Sequence, residues 1–183
     1  MALLNRAGKV AGGTAIAMAA AIGAVSVFEG RSNEAYLDPV GVATICDGIT
    51  HNVELGDTAT DAECDALLRA EIKKALTVLD NAVEADMPPS RRAALASFIY
   101  NVGPTAFRRS TLRRKLQAGD VQGACDELLR WVYAGGRDCR IRTNNCYGIV
   151  TRRQREREMC LDDGRGLESL AGDRTDDGRP DRG

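Results

Sequence analysis

Glu29, Asp38 and Thr44 are the densest group of candidate catalytic side chains in this 183-residue chain: an acid, eight intervening residues, a second acid, five more, and a hydroxyl. Two carboxylates flanking a cleft can break a glycosidic bond. One, held protonated, donates to the leaving oxygen; the other, ionised, orients water or stabilises an oxocarbenium ion. Glu29 suits the acid, because it follows Val25, Val27 and Phe28, and low-polarity surroundings raise a carboxyl pKa. Asp38 stands among turn residues, where solvent keeps it charged. On spacing alone, two surface carboxylates are the better description, since the chain holds 26 acids.

The elements around these residues must position them. With 183 residues, 44% hydrophobic and 28% charged, the chain can bury one good core and is too short for two ordinary domains. Collagen-like, coiled-coil and wholly disordered chains are excluded. Residues 34–50 mix Tyr, Val, Thr and Ile with Asp-Pro and glycines, which predicts short strands joined by turns. Thr60 and Glu63 have the spacing of a capping box, and Cys64, Leu68, Ile72, Ala75, Leu76, Leu79 and Val83 follow at helical intervals. That predicts one long helix over 61–83, joining a small β-containing lobe to a helical lobe. Ser90 can cap a helix through Asn101 with Gly103 as its stop, and Ser110 another through Ala118. Val121, Ala124, Cys125, Leu128, Leu129 and Val132 mark a fourth helix, and 151–161 a fifth with its arginines outside. Arg152 with Glu156, and Arg155 with Glu158, fit a solvated face of that last helix.

Both ends of the chain are different material. Between Lys9 and Glu29 lie 19 uncharged residues, seven of them alanine and three glycine, preceded by Arg6 and Lys9. The length suits a bilayer, the positive charges keep the amino terminus in the cytoplasm, and the weak hydrophobicity makes insertion marginal. A weak, uncleaved anchor is the preferred reading; a signal peptide cut among Ala19–Ala24, a permanent anchor and a buried core helix remain open. Residues 162–183 hold five glycines, seven acids, four arginines and no aromatic, and are expected to be a disordered tail. The six cysteines never form a CxxC pair, which disfavours zinc and thioredoxin-like motifs. An exported protein with disulfides, or a cytosolic one with reduced core thiols, would both fit.

Phe28-Glu29-Gly30, residues 35–50 (AYLDPVGVATICDGIT), 97–103 (SFIYNVG), 110–120 (STLRRKLQAGD) and 124–136 (ACDELLRWVYAGG) together resemble the phage-type lysozymes, glycoside hydrolase family 24. The likeness spans residues 25–161, and the family's Glu, eight residues, Asp, five residues, Thr arrangement falls on Glu29, Asp38 and Thr44. The resemblance implies an α+β, predominantly helical, lysozyme-like fold, with a small β-containing catalytic lobe, a helical lobe and a weakly hydrophobic helix in front. It implies an endolysin that hydrolyses peptidoglycan between N-acetylmuramic acid and N-acetylglucosamine. Glu29 would be the general acid, Asp38 would position or activate water, and Thr44 would hold that water. No cofactor or metal is implied.

Relatives often carry Gly-His-Thr where this chain has Gly48-Ile49-Thr50, so a catalytic histidine is not expected and His51 reads as a surface or turn residue. Residues 137–148 look like an insertion, and Trp131 and Tyr133, at helix spacing, read as core or cleft-wall packing. The pairing Cys46–Cys64, Cys125–Cys160 and Cys139–Cys146 rests partly on the same resemblance, out of the 15 that six cysteines permit. The amino terminus resembles the signal-anchor-release segments of lambdoid-phage endolysins. That implies an anchor over 1–28, a catalytic domain over 29–161, and a monomer tethered through residues 10–28 to the host inner membrane and facing the periplasm. Release would follow depolarisation by a holin or pinholin, functionally and without direct contact.

A basic surface is a further expectation, because residues 104–161 hold 13 basic and six acidic side chains. It could attract the anionic wall; nucleic acid is not expected, for want of a motif or interleaved aromatics. Two other functions fit the same residues: a lytic transglycosylase or chitin-type glycosidase, and a membrane-anchored wall-binding protein without catalysis.

Overall fold

The computed structural model describes residues 2–38 and 41–163, and for residues 2–12 and Glu29 the backbone alone. The expected tail, from residue 164 onward, lies outside them. The alanine-rich start of the chain is one helix, α1 (Ala2–Glu29), which ends where Gly30 turns the backbone at φ 69°. Alanine favours the helix, and glycine adopts the left-handed turn without strain. Ala17, Ala21 and Val25 are fully buried, whereas Ile16 and Val27 are 60% and 66% exposed. An i, i+4, i+8 stripe is one face of a helix, and this face joins the main core beside Leu68, Ile72 and Phe98. Among the described residues, no helix is long and apolar enough to cross a membrane.

Strands β1 (Ser32–Leu37) and β2 (Ala43–Cys46) pair antiparallel, with Tyr36 opposite Thr44 and Leu37 opposite Ala43. Residues 57–59 run along the other edge of β1, where Ala35 N donates to Asp57 O at 2.9 Å and Ala59 N to Asn33 O at 2.9 Å. Ile45, Cys46, Ile49 and Cys64 give this lobe its own small core. The long helix α2 (Asp61–Ala82) starts at the predicted capping box, and Cys64, Leu68, Ile72, Ala75, Leu76 and Leu79 form its buried stripe.

The remaining helices correct the sequence reading in detail. Helix α3 (Pro89–Val102) begins on two prolines, with Pro88 at the cap position, and Ser90 does not cap it; its Oγ donates to Asp162 O at 2.6 Å. A proline in the first turn has its φ already set and lacks only an N–H that would have no helical partner, so no side-chain cap is required. Gly103, at φ 82°, ends α3 and opens α4 (Pro104–Arg109), which is too short to show a period in the sequence. Ser110 caps α5 (Thr111–Gln117) as predicted, accepting from Arg113 N at 3.0 Å. Helix α6 (Val121–Glu127) gives way to a 3₁₀ turn at Leu128–Arg130, so the predicted run to Val132 is broken. Trp131 and Tyr133 therefore lie outside any helix. Trp131 meets Phe98 edge-on at 5.1 Å, while Tyr133 is 58% exposed and is no packing residue. Tyr133 opens a two-residue hairpin, β3 (Tyr133–Ala134) with β4 (Arg137–Asp138). Helix α7 (Tyr147–Leu161) starts four residues ahead of the expected 151.

Disulfides join Cys46–Cys64, Cys125–Cys160 and Cys139–Cys146. The first ties β2 to α2, the second ties α6 to α7, and the third closes the inserted loop. The whole is an α+β fold, mostly helical, in which α1, α2 and α7 pack around α3 and the β1–β2 lobe sits at the junction of α1 and α2.

Candidate active site

The β1–β2 turn brings two of the three predicted site residues together on one anchor, Val42. Asp38 Oδ1 accepts from Val42 N at 2.8 Å, and Thr44 Oγ1 donates to Val42 O at 3.0 Å. The backbone locks the same turn, since Asp38 N donates to Val42 O at 3.0 Å and Gly41 N to Asp38 O at 2.9 Å. Thr44 is buried at 3% exposure. Its hydroxyl spends its only proton on Val42, so what it can offer a further partner is an oxygen lone pair, an acceptor for a water proton. Glu29 is the last residue of α1, one glycine away from the strand lobe. Its side chain lies outside the described residues, and with it the expectation of a raised pKa.

Arg31, two residues past the end of α1, reaches into the lobe. Its Nε and Nη2 donate to Asp47 Oδ2 at 3.2 and 2.9 Å, and Nη2 also donates to Asp65 Oδ1 at 2.7 Å. These bonds, Asp65 first, raise the guanidinium pKa above its ordinary value. Asp47 is wholly buried, and Tyr100 Oη donates to its backbone carbonyl at 2.7 Å. Neither Arg31 nor Asp47 stands out in the sequence by type or spacing. The available signal is an aspartate inside an otherwise apolar strand end, Ala43-Thr44-Ile45-Cys46-Asp47, which must find a cation if it is buried.

A cleft of about 380 Å³ opens between the two lobes. Gly48, Ile49, Thr50 and His51 form the wall that continues from β2, Glu71, Lys74 and Val78 of α2 form the floor, and Tyr100, Asn101 and Pro104 form the far side. Asp38 and Thr44 do not line it; the chain enters it four residues after Thr44. His51 stands in a turn, as read from sequence, 3.7 Å from Glu71, whose carboxylate also takes Lys74 Nζ at 2.6 Å. A second hollow, about 500 Å³, lies on the β lobe between Ile45, Val53 and Leu67, with His51, Asp57 and Glu63 also in its lining and none of Glu29, Asp38 or Thr44.

The last helix corrects the sequence reading most. Arg152, Arg153 and Glu156 are buried, at 4%, 1% and 0% exposure, and are not a solvated face. Glu156 Oε1 accepts from Ser97 Oγ at 2.7 Å and from Arg152 Nε at 3.1 Å, and Arg153 bonds both Glu156 and Asn101. Arg153 Nε also donates to Trp131 O at 3.2 Å. Arg155 has no ion pair to Glu158 among the described residues; Arg155 and Arg152 stand 5.8 and 5.1 Å from the ring of Phe28, the residue before Glu29. Two of the 13 basic groups counted toward a basic surface thus serve the interior, gripping α3 and the end of α1.

A family model described as phage lysozyme matches residues 26–156. The SAR-endolysin of Enterobacteria phage PA-2 is 45% identical over 135 residues, 73% of this chain and 78% of that protein. The SAR-endolysin of Bacteriophage PS119 is 41% identical over 165 residues, 87% of this chain and 95% of that protein. Among solved structures, the active form of the P1 phage endolysin Lyz is 26% identical at a TM-score of 0.69, covering 81% of this chain and 84% of that one.

Proposed function

Because this chain belongs to the phage lysozyme family, we propose that Glu29, Asp38 and Thr44 carry its reaction, the hydrolysis of peptidoglycan glycosidic bonds by a muramidase endolysin. Glu29, at the end of α1, donates a proton to the leaving sugar oxygen. Asp38 takes up the proton of the attacking water, and Thr44 accepts from the same water and fixes its direction. The observation that carries the roles of Asp38 and Thr44 is their common attachment to Val42, which holds a carboxylate and a hydroxyl acceptor at one residue. The interlobe cleft, walled by Gly48–His51 and Tyr100, begins four residues after Thr44 and takes the part of the glycan strand that extends beyond the catalytic turn.

The relatives' SAR name supports a membrane-tethered stage before periplasmic release. In our reading residues 1–28 lie first in the inner membrane, with the enzyme facing the periplasm, and residue 29 begins the catalytic domain. While the segment is in lipid, Ala17, Ala21 and Val25 cannot enter the core, so the end of α1 cannot meet the β lobe. Depolarisation by a holin or pinholin frees the segment to fold as α1, without either protein touching the enzyme.

A zymogram of the full-length chain in peptidoglycan, followed by mass spectrometry of the products, tests the reaction. New reducing ends on N-acetylmuramic acid are expected. Anhydro-sugar ends would make it a transglycosylase, and no clearing at all a wall-binding protein.

A further inference from the structure

We infer that Arg31 is a positioning residue for the acid: its guanidinium, seated between Asp47 and Asp65, sets the direction in which the chain leaves α1 and so fixes where Glu29 stands. The inference rests on the reading of Glu29 as the acid. One glycine separates the two residues, and Gly30, at φ 69° with nothing within 4 Å of an added Cβ, offers no restraint of its own. The restraint comes one residue later, in three hydrogen bonds of 2.7 to 3.2 Å that only a forked donor can make to two carboxylates at once.

The receptor for that fork is built without α1. Cys46 and Cys64, 5.2 Å apart at Cα and joined by a disulfide, are the immediate neighbours of Asp47 and Asp65. The bridge therefore holds the two acids side by side whether or not Arg31 is present. Asp47 is fully buried and its Oδ1 has no hydrogen-bond partner among the described residues, and Arg31 is the cation bonded to it, which makes its charge tolerable there. Asp61, 3.9 Å from Nη1, adds a weaker attraction at the rim. Seating Arg31 and placing the backbone of Glu29 are consequently one event: the end of α1 is drawn to a preformed acidic socket beside the catalytic strand.

The test uses the purified full-length chain and compares Arg31→Ala, Arg31→Lys, the double variant Arg31→Ala/Asp47→Asn, and Glu29→Gln. Arg31→Ala should lower kcat about ten-fold or more with KM within about two-fold, because a misplaced acid costs turnover and leaves glycan binding alone. Arg31→Lys, which keeps the charge and loses the fork, should fall between. The double variant removes the buried charge together with its partner, so its melting temperature should recover while kcat stays low. Wild-type kcat in folded Arg31→Lys, or recovery of kcat along with stability in the double variant, would overturn the inference; so would an Arg31→Ala protein that melts earlier but turns over normally. Full activity in Glu29→Gln would instead remove the premise, a result distinct from an inactive Glu29→Gln beside an unaffected Arg31→Ala.

Discussion

Glu29→Gln replaces a proton donor by an amide that cannot supply the proton, and turnover should fall about 100-fold or more, as measured by wall-clearing rate. Asp38→Asn is a clean probe, because the amide oxygen can still accept from Val42 N and the turn should survive. Activity should be lost with the melting temperature nearly unchanged. Thr44→Ala also removes a buried hydroxyl bonded to Val42 O, so it should lose about 1 kcal/mol of stability along with activity, while Thr44→Ser should recover both. Glu156 serves the fold alone: Glu156→Gln leaves two buried guanidinium groups without their anion, and about 3–5 kcal/mol should be lost in denaturant titration. Carboxyl pKa values are depressed at Glu63 by hydrogen bonds from Thr60, at Asp126 by Gln122 and Arg157, and at Asp138 by Arg140. A group held below its unfolded value stabilises the fold above that value, near pH 4, and stops doing so as pH falls through the folded one. The melting temperature should therefore be flat above about pH 5 and decline below about pH 4, less steeply in Glu63→Gln.

At the scale of elements, α1 is part of the core, and its removal is a test of that. Deleting residues 1–28 takes away Ala17, Ala21 and Val25, all fully buried, and uncovers the faces of α2 and α3 beneath them. The apolar area lost should cost about 3 kcal/mol or more, and the fragment should melt well below the full chain or fail to clear a zymogram. The Cys125–Cys160 bridge closes a 35-residue separation between α6 and α7. Replacing both cysteines by serine should cost about 2–5 kcal/mol, read as an earlier thermal midpoint under non-reducing conditions.

For the whole molecule, the proposed tethered and released states would place opposite demands on α1, and its glycines would let one sequence meet both. An added Cβ at Gly13 or Gly23 would meet nothing within 4 Å, so Gly13→Leu/Gly23→Leu should leave the purified enzyme folded and active. In a bilayer the same leucines favour insertion by about 0.5 kcal/mol each. Cells making this variant should hold it in the membrane fraction after depolarisation and lyse late. Lysis with normal timing, or recovery of the wild-type protein without residues 1 to about 24, would replace the release reading with a cleaved leader.

The residue pattern alone carried the family, the Glu29, Asp38 and Thr44 candidates, the Thr60 capping box and the stripe of α2, because those signals are local: a spacing, a cap or a period of 3.6. Short-range chemistry also misled at Ser90, where two prolines start α3 without a side-chain cap, and at the broken run after Glu127. What only the tertiary structure decided is the fate of charges. Arg152 and Glu156 have the spacing of an exposed helical pair, and nothing within α7 says that α3 covers them with Ser97. Arg31 and Asp47 are 16 residues apart and look unremarkable singly; they become a pair when β1 pairs with β2 and sets Ser32 opposite Cys46. Burial is a property of what packs on top of a residue, and that partner comes from elsewhere in the chain.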